Sequence, residues 1–448
     1  MFTQEVQVKF TINSTTEQIQ STGGIALAAK ISEKIGFNFS DSESKRQLVH
    51  PEILRVMYGL FVQGRNSFEE IKLFRFDPFF KKAFDLKYVP AAETLRLYLE
   101  KIAEAKDSVL EKISGCNVNL LNMVTISPIE VSGRKYIPVD VDVSPLDNSG
   151  SHKEGVSRTY KGHDGFAPIF SYVGIEGYML ATELRKGKQH CQKDTPEYLL
   201  KNMKIINKLH LEYPVLFRLD GGNDAASTIK VLSESSHFFL IKRNIRKESR
   251  ESWLDTAKAE GEVISNNNRR TVYTGVHTGR TPASDKTLSE MDIVFKVTER
   301  YVAKDGTKLL LPEIEVETFW TNLYETPEDV IELYHAHGTS EQFHSELKSD
   351  MGIERLPSGK FSVNSVILHI ALISFNALRF IGQTALSFKE DLPSEHKVIR
   401  KRLRKVIDDL IRVGCKIVNH AHIWWIKLWD HDPWLLVFSK LYDTFCNL

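Results

Sequence analysis

Residues 136–144 read YIPVDVDVS. The alternation is strict, and it leaves one local structure. Successive side chains leave a strand on opposite faces, so Val139, Val141 and Val143 share one face while Asp140, Asp142 and Ser144 share the other. The valine face requires a core. Two carboxylates on the opposite face are costly in a central strand unless they meet something positive. An edge strand with a solvated acidic face is the alternative.

The flanking patterns favour a central strand. GFAPIFSYVG (165–174) and YMLATELRKG (178–187) read as a hairpin joined by a short turn. TPEYLLKNMKIINKLH (195–210) reads as a helix, with Thr195 as N-cap and Pro196 at its first position. YPVLFRLD (213–220) is a buried strand ending in Asp220. NDAASTIKVLSES is a second helix and HFFLIKR (237–243) a further strand. Three antiparallel strands, helix, strand, helix, strand is the order of an RNase H-like core. The expected fold class is therefore α/β, a mixed-sheet RNase H-like core.

Five regions are expected. Residues 1–125 form a helical domain, with apolar residues three and four apart in GGIALAAKISEKIG, PEILRVMYGLFVQG and AAETLRLYLEKIAEA. Residues 126–254 are the first part of the core. Residues 255–325 are a β-rich insertion, residues 326–360 a helix completing the core, and residues 361–448 a helical, basic C-terminal region.

Composition narrows the class. The chain has 448 residues, 42% hydrophobic and 26% charged, enough for more than one domain with a real core. Cys116, Cys191, Cys415 and Cys446 form no CxxC pair, which argues against a disulfide framework or zinc knuckle. No apolar run is expected to span a membrane, and MFTQEVQVKF lacks the pattern of a signal peptide, so a cytoplasmic protein is expected. The net charge of +1 names no polyanionic partner. Two local runs, KRNIRK (242–247) and KVIRKRLRK (397–405), hold Lys and Arg without an acid; a solvated helix face or strand end is one reading of each, a phosphate-contacting surface the other. Lys242, Arg243, Arg400, Arg402 and Arg404 are candidates to contact phosphates.

Asp220 precedes Gly221 and Gly222 at the carboxyl end of an apolar strand, where open sheets place ligands. A helix N-cap is the other reading. YHAHGTSEQFHSELK (334–348) supplies a third acid. At about 100° per residue, Tyr334, His337, Glu341 and Lys348 fall within an arc of roughly 60° on one polar helix face. Carboxylates on the first strand, the fourth strand and a late helix converge in an RNase H-like fold and can hold two divalent cations. Oxygen ligands favour Mg²⁺ or Mn²⁺ over zinc.

On these residues the chain resembles bacterial insertion-sequence DDE transposases of the cut-and-paste type. Their catalytic helix carries Tyr-x2-Arg-x3-Glu-x6-Lys, matched here by Tyr334, Glu341 and Lys348, with His337 in place of the arginine. Their Asp-x-Ser/Thr strand maps to Asp142 and Ser144, and their second aspartate to Asp220. Their β-rich insertion would account for the long gap between Asp220 and Glu341. GGIALAAK, FVQGRNSFEEI, FRFDPFFKKAF and VPAAETLR are similar to the N-terminal region of one branch.

The resemblance implies a catalytic and metal-binding triad of Asp142, Asp220 and Glu341, with Mg²⁺ as cofactor and Mn²⁺ substituting. It implies DNA contacts by Tyr334, His337 and Lys348. The implied partners are duplex DNA with terminal inverted repeats, target DNA and a second copy of the chain, without a membrane. The implied location is the bacterial cytoplasm, at the nucleoid when DNA-bound. Asp140 is expected to support the site from behind. A catalytically silent DNA-binding regulator and a metal-dependent nuclease without strand transfer are the alternatives. Trp320 is expected in the core, with base stacking as the other option. Trp424 and Trp425 are expected in the core or at a dimer interface, and His163 and Asp164 in a turn.

Overall fold

The structure, a computed structural model, describes residues 11–39, 51–282, 288–303, 305–393, 398–421 and 423–448. The opening MFTQEVQVKF and Lys397 of the second basic run lie outside them. Helices α1 (Ile25–Lys34), α2 (Glu52–Phe61), α3 (Pro78–Ala83), α4 (Ala92–Glu104) and α5 (Lys106–Met123) come first. Each of α1, α2 and α4 buries the apolar stripe its spacing demands, as in Leu95, Leu99 and Ile102 of α4.

The sheet follows. Its core strands are β1 (Arg134–Val143), β2 (Ile169–Val173), β3 (Tyr178–Glu183), β4 (Val215–Leu219) and β5 (Phe238–Arg243). They lie in the order β3-β2-β1-β4-β5. β1 pairs antiparallel with β2 and parallel with β4, and β4 pairs parallel with β5. Helices α6 (Thr195–Ile206) and α7 (Ala226–Ser233) make the two crossovers. This is the RNase H-like arrangement the sequence pattern predicts. β1 is central rather than an edge, because both its neighbours bring apolar faces to Val139, Val141 and Val143, all buried.

Beyond β5 comes the β-rich stretch expected as an insertion. Helix α8 (Arg250–Glu260) is followed by β6 (Glu262–Asn266), β7 (Arg270–Arg280), β8 (Met291–Val302) and β9 (Lys308–Thr321). These strands pair in sequence, and β9 pairs antiparallel with β5. The insertion therefore extends the core sheet.

The late helix is also broken where one regular helix was expected. After α9 (Pro327–His335), capped by the Thr326 hydroxyl accepting from the Asp329 amide at 3.3 Å, the chain tightens into a 3₁₀ turn over Ala336–Thr339. It resumes as α10 (Ser340–Ser345) and widens into a π turn over Glu346–Asp350. Helix α11 (Phe361–Ser387) is long and apolar enough, by length and composition, to cross a membrane, which corrects the expectation that no such segment exists. It is mostly buried and packs against α5, α2, α4 and β3. A helix apolar all round suits the centre of a large core.

The C-terminal region is likewise not all helical. Strands β10 (Cys415–His420) and β11 (Ile423–Leu428) form a hairpin before α12 (Leu435–Cys446), and β10 pairs with Gln18–Gln20. Trp424 is half-buried and Trp425 exposed on β11.

One glycine fixes how α10 seats. Gly177 turns the β2–β3 hairpin at φ +70°, and a Cβ there would stand 2.2 Å from the Phe343 ring of α10. Gly177→Ala is expected to lower stability by roughly 1–3 kcal/mol through overpacking and a left-handed backbone. Denaturant unfolding checks this, and an unchanged midpoint would show that α10 is not seated on the hairpin.

Candidate active site

β1 and β4 run parallel in the register Asp140–Arg218 and Val141–Leu219. Continuing that register one step brings Asp142 and Asp220 side by side at the carboxyl ends of two central strands, where open α/β sheets bind ligands. Asp220 sits at the N-cap position of the Gly221–Asn223 turn, but its side chain makes no capping hydrogen bond there. Its Oδ1 accepts from the Asn223 side-chain Nδ2 at 2.7 Å. Gly222 allows close approach: a Cβ there would lie 3.2 Å from both Asp220 oxygens.

The two carboxylates differ electrostatically. Burial raises the Asp220 carboxyl, and the Asp142 charge raises it further. Burial works the same way on Asp142, but its hydrogen bond to His344, with the nearby His337 and the Val143 backbone, outweighs it and holds Asp142 below the usual range. Asp142, Asp220, Tyr334, His337, Glu341 and Lys348 all line one cavity of about 910 Å³. Glu341 is exposed there and makes no hydrogen bond or ion pair with the described residues.

The three acids share the cavity but do not close on one point. Among the described residues no group of three His, Cys, Asp or Glu stands close enough to hold a metal ion. The donors are oxygen atoms, two of them on adjacent strand ends, which suits a hard divalent cation.

Asp140 serves a different end from Asp142. Its two oxygens accept from Arg218 Nε at 2.6 Å and Nη2 at 2.8 Å, all buried. Arg218 Nη1 donates to the Leu333 carbonyl at 2.7 Å, so one guanidinium ties β1, β4 and the end of α9 together. His337 does not stand free toward solvent. It is buried, and its Nδ1 lies 2.9 Å from Asp140 Oδ1, a close charge contact without the alignment of a directed hydrogen bond. Burial lowers its affinity for a proton, but Asp140 outweighs that and raises its pKa above the ordinary value.

The other candidates divide. Lys348 lines the cavity but donates to the Pro145 carbonyl at 2.7 Å, and burial lowers its pKa. Lys242 lines the cavity beside Glu317 at 3.3 Å, its ammonium 5.7 Å from the Tyr334 ring centre. Arg243 points elsewhere: it pairs with Glu248 and lies over the Trp320 ring. Trp320 is buried, its indole donating to Asp224 at 3.1 Å. Arg400, only 14% exposed, is bound to Glu346 at 3.0 Å. Arg402 and Arg404 pair with Asp350 yet stay 55% and 59% exposed, so those two keep a face toward solvent. His163 and Asp164 do not line the cavity. The same loop contributes Tyr160 and Lys161 instead.

Two further residues belong to the site. Arg218 is the lone charge in the buried strand VLFRL, a signal that an acid must face it. His344 lies three residues past Glu341, one helical turn along the same face. Its Nε2 is 3.2 Å from Asp142 Oδ2.

The family model described as transposase DDE domain group 1 matches residues 2–448. The chain belongs to the DDE transposase family. Members of this family generally use divalent metal ions, in keeping with the oxygen donors of the cavity. No curated protein matches the chain. Among solved structures, the transposase is similar to the piggyBac transposase synaptic complex with hairpin DNA at 10% identity and a TM-score of 0.41, over 87% of this chain and 80% of that one.

The His337–Asp140 contact gives the transposase a pH signature. Stability from charged His337 is fully present below about pH 6.5 and is lost as pH rises through the raised folded value. Thermal melts of wild type should therefore fall more steeply from about pH 6 to 8 than those of His337→Asn. Parallel curves would show that the contact contributes nothing.

Proposed function

We propose that this chain cuts DNA at the ends of a mobile element and joins the freed strand to new DNA. The observation that carries this reading is the placement of Asp142, Asp220 and Glu341. They come from two neighbouring parallel strand ends and a late helix, and they line one cavity in an RNase H-like sheet.

In this reading Asp142, Asp220 and Glu341 hold Mg²⁺, with Mn²⁺ able to replace it. Bound there, divalent cations would act as Lewis acids on the scissile phosphate. The chain's own groups bind and orient the DNA. Lys161, Lys242 and Lys348 line the cavity and favour the phosphate backbone. Tyr334 offers its half-buried ring and hydroxyl at the rim. Water attacks the phosphodiester at the element's end in line with the leaving 3′-oxygen. The released 3′-hydroxyl then attacks a second phosphodiester, on the opposite strand or in the target.

His337 stands where the bacterial insertion-sequence signature has arginine. With its ring turned to Asp140, it braces the helix carrying Glu341. The substrates in this reading are terminal inverted repeats and target DNA, worked on by two copies of the chain at the bacterial nucleoid.

A cleavage assay on DNA carrying the ends that flank the encoding gene, with Mg²⁺, tests the reading. Asp142→Asn, Asp220→Asn and Glu341→Gln are each expected to abolish nicking and strand joining while leaving DNA binding intact. Normal cleavage by any of the three removes that residue from the triad. Wild type that binds ends but never cuts them would favour a silent regulator.

The basic run is tested by salt. Each neutralised phosphate adds about 0.9 to the slope of log affinity against log salt. The Arg402→Ala, Arg404→Ala double variant should flatten the slope. Arg400→Ala, which strips a partner from buried Glu346, should instead lower the unfolding midpoint. An unchanged slope in the double variant would leave Arg402 and Arg404 as partners of Asp350 alone.

A further inference from the structure

His344 stands behind Asp142 and uses both ring nitrogens. Nε2 lies 3.2 Å from Asp142 Oδ2, and Nδ1 lies 3.2 Å from the Tyr172 hydroxyl. His344 and Tyr172 are buried. The imidazole is wedged among Phe170 and Tyr172, ring centres 5.3 and 5.2 Å away, and Tyr172 is backed in turn by Phe343 at 5.0 Å. The ring therefore has little freedom to turn. Among the described residues the Tyr172 hydroxyl has no hydrogen-bond partner other than Nδ1.

In a neutral ring these contacts fix the direction of both hydrogen bonds. A carboxylate only accepts, so the Asp142 contact requires a proton on Nε2. In a neutral ring Nδ1 is then an acceptor, and the Tyr172 hydroxyl is the donor facing it. The chain Tyr172 O–H to Nδ1, Nε2–H to Asp142 is complete without any further group.

Asp142 needs such a support. Asp220 beside it carries the same charge, and repulsion would turn the Asp142 carboxylate away from the shared space. A directed donor on Oδ2 fixes one oxygen and leaves Oδ1 available. His344 also sits on α10 with Glu341, so one ring links the strand bearing the first acid to the helix bearing the third.

We propose that His344 is a positioning residue that sets the Asp142 carboxylate for a divalent cation, with Tyr172 fixing the tautomer that lets it do so. This rests on the reading of Asp142 as a cation ligand. Ligating groups held by an outer hydrogen bond typically lose roughly 10- to 100-fold in metal affinity when that bond is removed. A ring that merely fills the core would show no such selectivity.

Two amide substitutions separate these roles. The glutamine amide reaches the place of Nε2, and the asparagine amide reaches only that of Nδ1. Mn²⁺ is titrated calorimetrically into the free full-length chain, without DNA, and thermal melts confirm that each variant is folded. His344→Gln is expected to stay within about threefold of wild type, and His344→Asn to lose about tenfold or more. Tyr172→Phe, which removes one oxygen from the core, is expected to weaken Mn²⁺ binding by less than His344→Asn does. Independently of metal, histidine-selective ¹⁵N NMR should show a buried ring protonated on Nε2 alone in wild type, and a mixture of tautomers in Tyr172→Phe.

Equal Mn²⁺ affinity in wild type and His344→Asn, or a His344 ring protonated on Nδ1, would overturn the proposal. A wild-type chain that takes up no Mn²⁺ would overturn the metal reading itself, an outcome distinct from wild type and variant binding alike.

Discussion

The site hangs on a buried ion pair. Arg218 and Asp140 face each other across the two central parallel strands, and neither charge reaches water. Such a pair is strongly destabilising to break and gives little net stability over an apolar pair. Its value here is placement. A one-residue slip of β4 against β1 would bury both charges without partners, so the pair pins the register. That register is what leaves Asp142 and Asp220 abreast. The third nitrogen of the same guanidinium holds the last turn of α9, and Asp140 holds His337.

A second buried cluster does the same work from the other side. Glu346, in the π turn after α10, accepts from Arg379 of α11 at 2.7 Å and from Arg400 at 3.0 Å. Arg379 is wholly buried, so the helix carrying Glu341 is tied to the central core helix as well as to the sheet. The 3₁₀ turn at Ala336–Thr339, which carries His337, connects these two anchorages. Its Gly338 would meet nothing within 4 Å if it carried a Cβ.

Much of this was legible in the sequence, for reasons that can be named. VDVDVS carries its own period, and VLFRLD ends in an acid followed by two glycines, so the core strands and two acids stood out. Glu341 was singled out by its spacing. What stayed hidden depends on partners remote in the chain. The direction of His337 follows from Asp140, almost two hundred positions earlier. The role of His344 follows from Tyr172 and Asp142, neither visible from its own helix. Arg400 looked like part of a solvated basic run because nothing local reveals that Glu346 is buried beside it. The hairpin of β10 and β11 was read as helix because apolar and aromatic residues crowd together there, and its pairing with Gln18–Gln20 is a contact between opposite ends of the chain.

The extension of the sheet has a consequence for distance. β9 is a single strand of 14 residues, running from the wholly exposed Leu310 near its start to Thr321, a few positions before the Thr326 cap of α9. At about 3.3 Å per residue, such a strand measures roughly 45 Å. Pleated backbone paired with β8 along its length, and with β5 over Thr318–Thr321, neither stretches nor folds back easily. The outer end of the sheet is therefore held at a set separation from the carboxylates, as the far mark on a ruler is held from its zero.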